Sequence, residues 1–212
     1  MTMGFDCGHG NSLGDWLINK AIMYQEENIG RVYVMLDTQK DDQVCGYFTL
    51  LSHQITTQSI TKRDRRGKNE KATTVVGSHS TLPSQLLGKF ALDSVYQGCD
   101  ASIVLMYFVY KAFLDILQYT AARYLIVEVR ENKIGEIYQK KFKFALSPQK
   151  PESNNLSIYY KKSSDVLKEV ADYTGLKEGT PVFGGISDIS ASAIGCGYVM
   201  TVEILLSLPT KL

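Results

Sequence analysis

The sequence predicts a mixed α/β sheet with helices on both faces, and three stretches carry that prediction. Arg31 to Asp37 (RVYVMLD) and Gln43 to Leu51 (QVCGYFTLL) are β-rich runs separated by Gln39-Lys40-Asp41-Asp42, a hairpin signal. Leu86 to Asp93 has strand character, Ala101 to Tyr119 is a strongly apolar helix, and Tyr124 to Val129 (YLIVEV) is a strand again. A strand, a helix and a second strand in that order favour a right-handed crossover with the two strands parallel. Ahead of the hairpin, Asp15 to Glu27 places Trp16, Leu17, Ala21, Ile22 and Tyr24 close to helical spacing, which predicts an amphipathic helix.

The remaining segments follow from local composition. Residues 57 to 84 carry Lys62, Arg63, Arg65, Arg66, Lys68 and Lys71 against Asp64 and Glu70, with few large apolar groups, and read as a long solvated loop. Lys133 to Lys141 predicts a short helix and Phe142 to Leu146 a strand. After Pro151 come a strand from Leu156 to Tyr160 and a helix from about Ser164 to Tyr173, capped by Ser163 or Ser164. The last forty residues open with a Gly/Ser-rich stretch (GTPVFGGISDISASAIGCGY) and close on VMTVEILLSL, a final strand or an interface segment. The expected organisation is one domain over residues 1–175 with the basic loop inserted at about 57–84. Residues 176–212 form an extension packed on that domain or at an interface.

Bulk properties exclude several classes. A length of 212 residues suits one domain with a sizeable core, and a net charge of +1 argues against a wholesale nucleic-acid coat while leaving room for a local basic patch. Cys7, Cys45, Cys99 and Cys196 show neither a C-x-x-C pair nor ligand spacing with histidine, so buried unpaired thiols in a reducing cytoplasm are expected. The N-terminus lacks the basic start and apolar run of a signal peptide. Lys111 and Asp115 interrupt the longest apolar run, so no membrane span is expected. His9, His53 and His79 lie far apart and read as surface or structural residues, with no metal implied.

The feature that bears most directly on function is the turn Gln97-Gly98-Cys99-Asp100-Ala101-Ser102 between a strand and the apolar helix. A helix N-terminus offers unpaired N–H donors and the positive end of the helix dipole, which together hold an anion. Glycine in the preceding turn lets the backbone approach that anion closely. A single glycine fits a simple tight turn equally well.

The surrounding residues resemble the GCN5-related N-acetyltransferases, whose coenzyme A loop follows Q/R-x-x-G-x-G/A. Gln97 fits the first position, while Asp100 and Ser102 replace the two small residues. Leu87-Gly88-Lys89-Phe90-Ala91-Leu92-Asp93 resembles the strand that binds the pantetheine arm, with Lys89 where arginine is frequent. Asn132 and Tyr138, in ENKIGEIYQKKFKF, resemble the family's N-x-x-A-x-x-F-Y-x-K-x-G-F segment, with Gly135 and Ile137 departing from it. Phe5-Asp6-Cys7-Gly8 with Leu13-Gly14-Asp15-Trp16-Leu17, and Gly46-Tyr47-Phe48-Thr49-Leu50, are similar to the F-x-C-G-x-x-x-L-D-x-W-L start and G-Y-Y-T-L strand of acetyltransferase toxins from bacterial toxin–antitoxin pairs. Together the matches cover roughly residues 5 to 145.

The resemblance implies a mostly antiparallel sheet with a central parallel βαβ crossover, cytoplasmic acetyl-coenzyme A chemistry and no metal. It implies that Phe90, Ala91, Leu92, Gln97, Gly98, Cys99, Asp100, Ala101, Ser102 and Asn132 bind the cosubstrate, with backbone N–H groups of Phe90 to Leu92 on the thioester carbonyl. Tyr138 would be the acid that protonates the departing thiolate, its alternative being a core tyrosine. The acceptor would be an amine, in the toxin-type branch the amino group of aminoacyl-tRNA, and a small antitoxin and a homodimer are the implied partners. The segment 62–71 is then either a solvated insertion or a phosphate-contacting arm. Acetylation of a small amine or a protein stays open, as does a degenerate fold kept for binding, which Asp100 and Ser102 favour. Asp100 would cap the helix with its carboxylate, on the N–H groups a pyrophosphate needs.

Overall fold

The computed structural model describes residues 4–8, 12–149 and 156–175. Helix α1 (Ser12–Glu26) precedes a hairpin of β1 (Arg31–Asp37) and β2 (Gln43–Thr56). A short helix α2 (Glu70–Gly77) leads into β3 (Thr81–Leu92), the long helix α3 (Ala101–Ile116) and β4 (Tyr124–Val129). Helix α4 (Asn132–Lys140), β5 (Ala145–Leu146), β6 (Ser157–Lys162) and α5 (Ser163–Thr174) complete the described chain. The six strands form one sheet in the order β1-β2-β3-β4-β6-β5.

The predicted crossover is present: β3 and β4 are parallel, pairing Ser84 with Tyr124, Gln85 with Leu125 and Leu86 with Ile126. Strand β6 then pairs antiparallel with β4 from Tyr124↔Lys162 to Val129↔Ser157, and β5 pairs antiparallel with β6. The hairpin turn is made by Asp41 and Asp42, at φ +50° and +56°, the left-handed geometry that a tight hairpin demands and aspartate tolerates.

The chain divides into two compact units, one of residues up to 49, 89–109 and from 170, the other of 50–88 and 110–169. In the first, Phe5, Leu17, Ala21, Val44, Tyr47 and Ala91 form a core. Trp16 stacks on Tyr47 at 5.8 Å, and the Tyr47 hydroxyl donates to the Leu13 carbonyl at 2.7 Å, docking α1 on β2. The neighbouring Gly46 is closed in by Leu92, the Ala91 carbonyl and Leu105 of α3, so a side chain there would meet Leu92 at 2.9 Å. Adjacent strand residues point to opposite faces, so α1 and α3 cover opposite faces of β2. In the second unit Ile55, Ile60, Leu82, Tyr124, Ile126 and Tyr160 form the core.

Two expectations need correction. Residues 57–84 are not a long solvated loop: they hold a 3-10 turn (Thr57–Ser59), α2 and the start of β3. Asn69 caps α2 by accepting from the Ala72 N–H at 2.9 Å. The stretch before it is tied to distant tyrosines: Tyr160 Oη donates to Asp64 Oδ2 at 2.8 Å and Tyr124 Oη to the Asp64 carbonyl at 3.0 Å. Arg123 Nη2 donates to the Arg66 carbonyl at 2.9 Å. Burial of Ile60 and Leu82 anchors both ends. The second correction concerns 142–146, where only Ala145–Leu146 is strand. Phe142 to Phe144 instead make a turn through Lys143 at φ +56°, because both rings pack inward on Tyr138. The Gly/Ser-rich stretch, VMTVEILLSL and the 176–212 extension lie outside the described residues.

Candidate active site

The turn at 97–102 belongs to the first unit and is held by carboxylates and carbonyls around it. Asp93, 3% exposed, follows β3 and accepts twice: from the Val95 N–H at 3.0 Å and from the Asp6 N–H at 2.9 Å. Ser94 N–H returns a bond to the Asp6 carbonyl at 2.7 Å. The buried Tyr96 hydroxyl donates to Asp37 Oδ2 at 2.6 Å, and Lys40 lies over its ring. Burial and the Asp37 carboxylate both push the Tyr96 phenol well above its ordinary range. Gln97 then bridges, its Nε2 donating to the Cys7 carbonyl at 2.9 Å and the Leu92 carbonyl at 3.0 Å. The segment Phe5-Asp6-Cys7-Gly8 is therefore a brace that holds the turn, with Gly8 at φ +75° closing an Asp6-capped bend.

Gly98 stands at φ +80°, where a side chain is strained, so the glycine is required by the backbone path. The exposed Cys99 thiol donates to the Tyr96 carbonyl at 2.9 Å, inside the same turn. The Asp100 carbonyl opens α3 by accepting from the Ile103 and Val104 N–H groups at 2.8 and 3.2 Å. Its carboxylate, by contrast, accepts no hydrogen bond from the described residues, unlike the capping side chains of Asn69 and Asp93. Asp100 is thus a cap by position but not by side chain, contrary to the expectation from sequence. Ala101 is buried and Ser102 half-buried at the first turn of α3. Phe90, Ala91 and Leu92 continue β3 past Leu86, the last residue in parallel register with β4.

Tyr138 belongs to the second unit. It sits on the inner face of α4 with Gly135, 6% exposed, with the Phe142 and Phe144 rings at 5.9 and 5.7 Å. The Phe144 N–H donates to the Tyr138 carbonyl at 3.0 Å, which closes the turn that carries both rings. Burial pushes the Tyr138 phenol well above its ordinary range, so it keeps its proton at neutral pH. A Cβ at Gly135 would overlap the Tyr159 ring and hydroxyl, so glycine there makes room for that tyrosine under α4. Asn132 is the exposed first residue of α4.

Sequence reading missed Asp6, Asp37 and Asp93 as supports of the turn. For Asp37 and Asp93, an acidic residue at a strand end was the available signal. It also missed a buried ammonium: Lys161 of β6, 3% exposed, donates to the Phe142 carbonyl at 2.6 Å and to Tyr110 Oη at 3.1 Å, and pairs with Glu169 at 2.5 Å. Lys62, Arg63, Arg66, Lys68 and Lys71 are exposed, on backbone that the Asp64 contacts hold in place. Among the described residues no group of His, Cys, Asp and Glu could hold a metal ion, and no helix is long and apolar enough to cross a membrane.

No family model matches the chain, and no curated protein matches its sequence. Solved structures do match. A tyrosine-to-phenylalanine variant of KacT aligns at TM-score 0.64 and 19% identity, over 78% of this chain and 89% of that one. AtaT complexed with acetyl-methionyl-tRNAfMet aligns at TM-score 0.63 and 20% identity, over 76% and 87%. A tyrosine-to-phenylalanine variant of the AtaT toxin, bound to the C-terminus of the antitoxin AtaR and acetyl-CoA, aligns at TM-score 0.59 and 20% identity, over 79% and 88%. Identities this low establish the fold alone. It is the GCN5-related N-acetyltransferase fold, in the form these toxins have.

Proposed function

We propose that this chain is an acetyl-coenzyme A-dependent N-acetyltransferase acting on a primary amine, with the amino group of aminoacyl-tRNA as the acceptor. The observation that carries the reading is the turn before α3. Gly98 takes the left-handed conformation, and the Asp100 carboxylate leaves the first N–H groups of the helix uncapped by its side chain. An anion arriving there competes with no capping bond from Asp100, and meets the positive end of a helix of 16 residues.

Asp100 still places like charge beside a pyrophosphate. Because it is exposed, the appropriate dielectric is close to that of water, and the repulsion is about 1 kcal/mol at 4 Å. That weakens binding roughly fivefold and does not abolish it. Backbone N–H groups of Phe90 to Leu92, on the strand beyond its last parallel pair, are the proposed partners of the pantetheine arm and thioester carbonyl. Asn132, Cys99, Ala101 and Ser102 complete the proposed cosubstrate contacts.

In the proposed reaction the amine nitrogen bonds to the thioester carbonyl carbon while the carbon–sulfur bond breaks and the amine loses a proton to solvent. Tyr138 supplies its phenolic proton to the sulfur and is reprotonated from water. Its buried setting keeps the phenol protonated at neutral pH. The exposed basic segment 62–71 is the proposed contact for tRNA phosphates, and the tie of Asp64 to Tyr124 and Tyr160 supports it as an ordered arm. A small antitoxin and a second copy of the chain are the proposed protein partners.

One observation favours a second reading. Asp100 and Ser102 in place of small residues suit a fold that binds its ligand without turnover. Acetyl transfer to aminoacyl-tRNA by the purified protein separates the two. Tyr138→Phe, which keeps the ring packing, is expected to lower kcat by about 10²- to 10⁴-fold while the circular dichroism spectrum is unchanged. Full activity in that variant would remove Tyr138 from the reaction, and no transfer by the parent chain would favour the second reading.

A further inference from the structure

Resting on the proposed role of Tyr138, the structure supplies a device behind it. The Lys161 ammonium carries three protons and has three acceptors: the Phe142 carbonyl, Tyr110 Oη and Glu169 Oε1. Every donor is used, which is what a charge buried at 3% exposure requires. Glu169 and, at longer range, Asp165 on α5 supply countercharge against a burial that pulls the Lys161 ammonium below its ordinary range.

Two of the three partners lead to the turn that holds Tyr138. The Phe142 carbonyl belongs to the turn whose two rings hold the Tyr138 ring, and the ammonium also lies 5.5 Å from the centre of Phe144. Tyr110 Oη donates in turn to the Phe142 carbonyl at 3.3 Å, so both Lys161 and Tyr110 hold that carbonyl. A buried phenol needs such a device. Burial raises its proton affinity, whereas a thiol ordinarily releases its proton near pH 8.5, so donation from an unassisted buried phenol runs uphill. A buried cation bonded to the Phe142 carbonyl and lying against the Phe144 ring, which packs on Tyr138, stabilises through a low dielectric the charge that develops on the phenol oxygen.

We propose that Lys161 is the positioning residue of the acetyl-transfer step, holding Tyr138 through the Phe142–Phe144 turn, to whose Phe142 carbonyl both Lys161 and Tyr110 donate, and favouring its proton donation by its buried charge. A lysine kept only for packing would not act through Tyr138, and a double-mutant cycle separates the two cases. Lys161→Met keeps the aliphatic stem and removes the charge. It is expected to lower kcat about tenfold or more with KM for acetyl-coenzyme A within about twofold, and to cost nothing further in a Tyr138→Phe background. Equal losses in both backgrounds would overturn the proposal. Where Lys161→Met does not fold, Tyr110→Phe takes its place, with a smaller loss of about threefold and the same non-additivity.

A readout independent of turnover is the NMR spectrum of protein labelled with tyrosine Cζ-13C, the Tyr138 line being assigned by its absence in Tyr138→Phe. Lys161→Met or Tyr110→Phe is expected to shift and broaden that line. An unmoved Tyr138 line would overturn the inference even in an active enzyme. A moved line in a chain that transfers no acetyl group would uphold the coupling while the proposed reaction failed.

Discussion

Gly135 and Tyr138 are one design at the scale of single residues. They lie three apart on α4, so both point inward, and each departs from what its residue type usually does on a short exposed helix. Gly135 is glycine because of Tyr159, whose ring and hydroxyl occupy the space a methyl group would take. Gly135→Ala is therefore expected to destabilise the chain by about 1–3 kcal/mol despite the better helix propensity of alanine. Urea unfolding measures this, and an unchanged or higher midpoint would mean that Tyr159 moves aside freely. From sequence, Tyr138 was legible as a motif position among 13 tyrosines. Its surroundings were not, because the residues that hold it include Lys161, 23 positions away and silent in any local pattern.

Elements explain why the turn before α3 keeps its shape. Strand β3 is followed by Asp93, whose carboxylate joins the N-terminal segment to the 3-10 turn Ser94–Tyr96, and Gln97 adds two more bonds on the far side. Asp93→Ala removes the charged acceptor of the part-buried Asp6 and Val95 N–H bonds, at about 1–3 kcal/mol. Because those groups set the path into Gly98, the same variant is expected to weaken acetyl-coenzyme A binding as well as lower the unfolding midpoint. Loss of stability with undiminished affinity would show that the brace does not shape the site. The strand, helix and strand order was readable because hydrophobic periodicity is local. The brace and the ordered segment 57–84 were not, because Asp6 meets Asp93 and Asp64 meets Tyr160 only across long sequence separations. A run of charges without large apolar groups looks solvated whether or not distant tyrosines pin its backbone.

At the scale of the whole molecule, burial of titratable groups sets the pH range in which the chain is stable. The Cys45 thiol is pushed from its ordinary 9.0 up to about 12, chiefly by burial and then by Asp37, while Tyr47, Tyr96, Tyr110 and Tyr138 are raised well above 10.0. The folded chain holds these protons more tightly than the unfolded one. Stability from this source is complete below pH 9 and is lost as pH rises from there toward and beyond 12, because only the unfolded state releases protons in that window. Thermal melts are expected to show a falling Tm from pH 9 upward, less steeply in Cys45→Ala, whereas a flat Tm to pH 11 would contradict the burial of these groups. The functional claim rests on the turn before α3, within a fold that solved structures share at identities of 19–20%. That claim is tested most directly by calorimetric titration of the purified chain with acetyl-coenzyme A. Saturable heat at one site per chain, tightened roughly fivefold by Asp100→Gly, is the predicted result. No heat from the parent chain at millimolar ligand would contradict it.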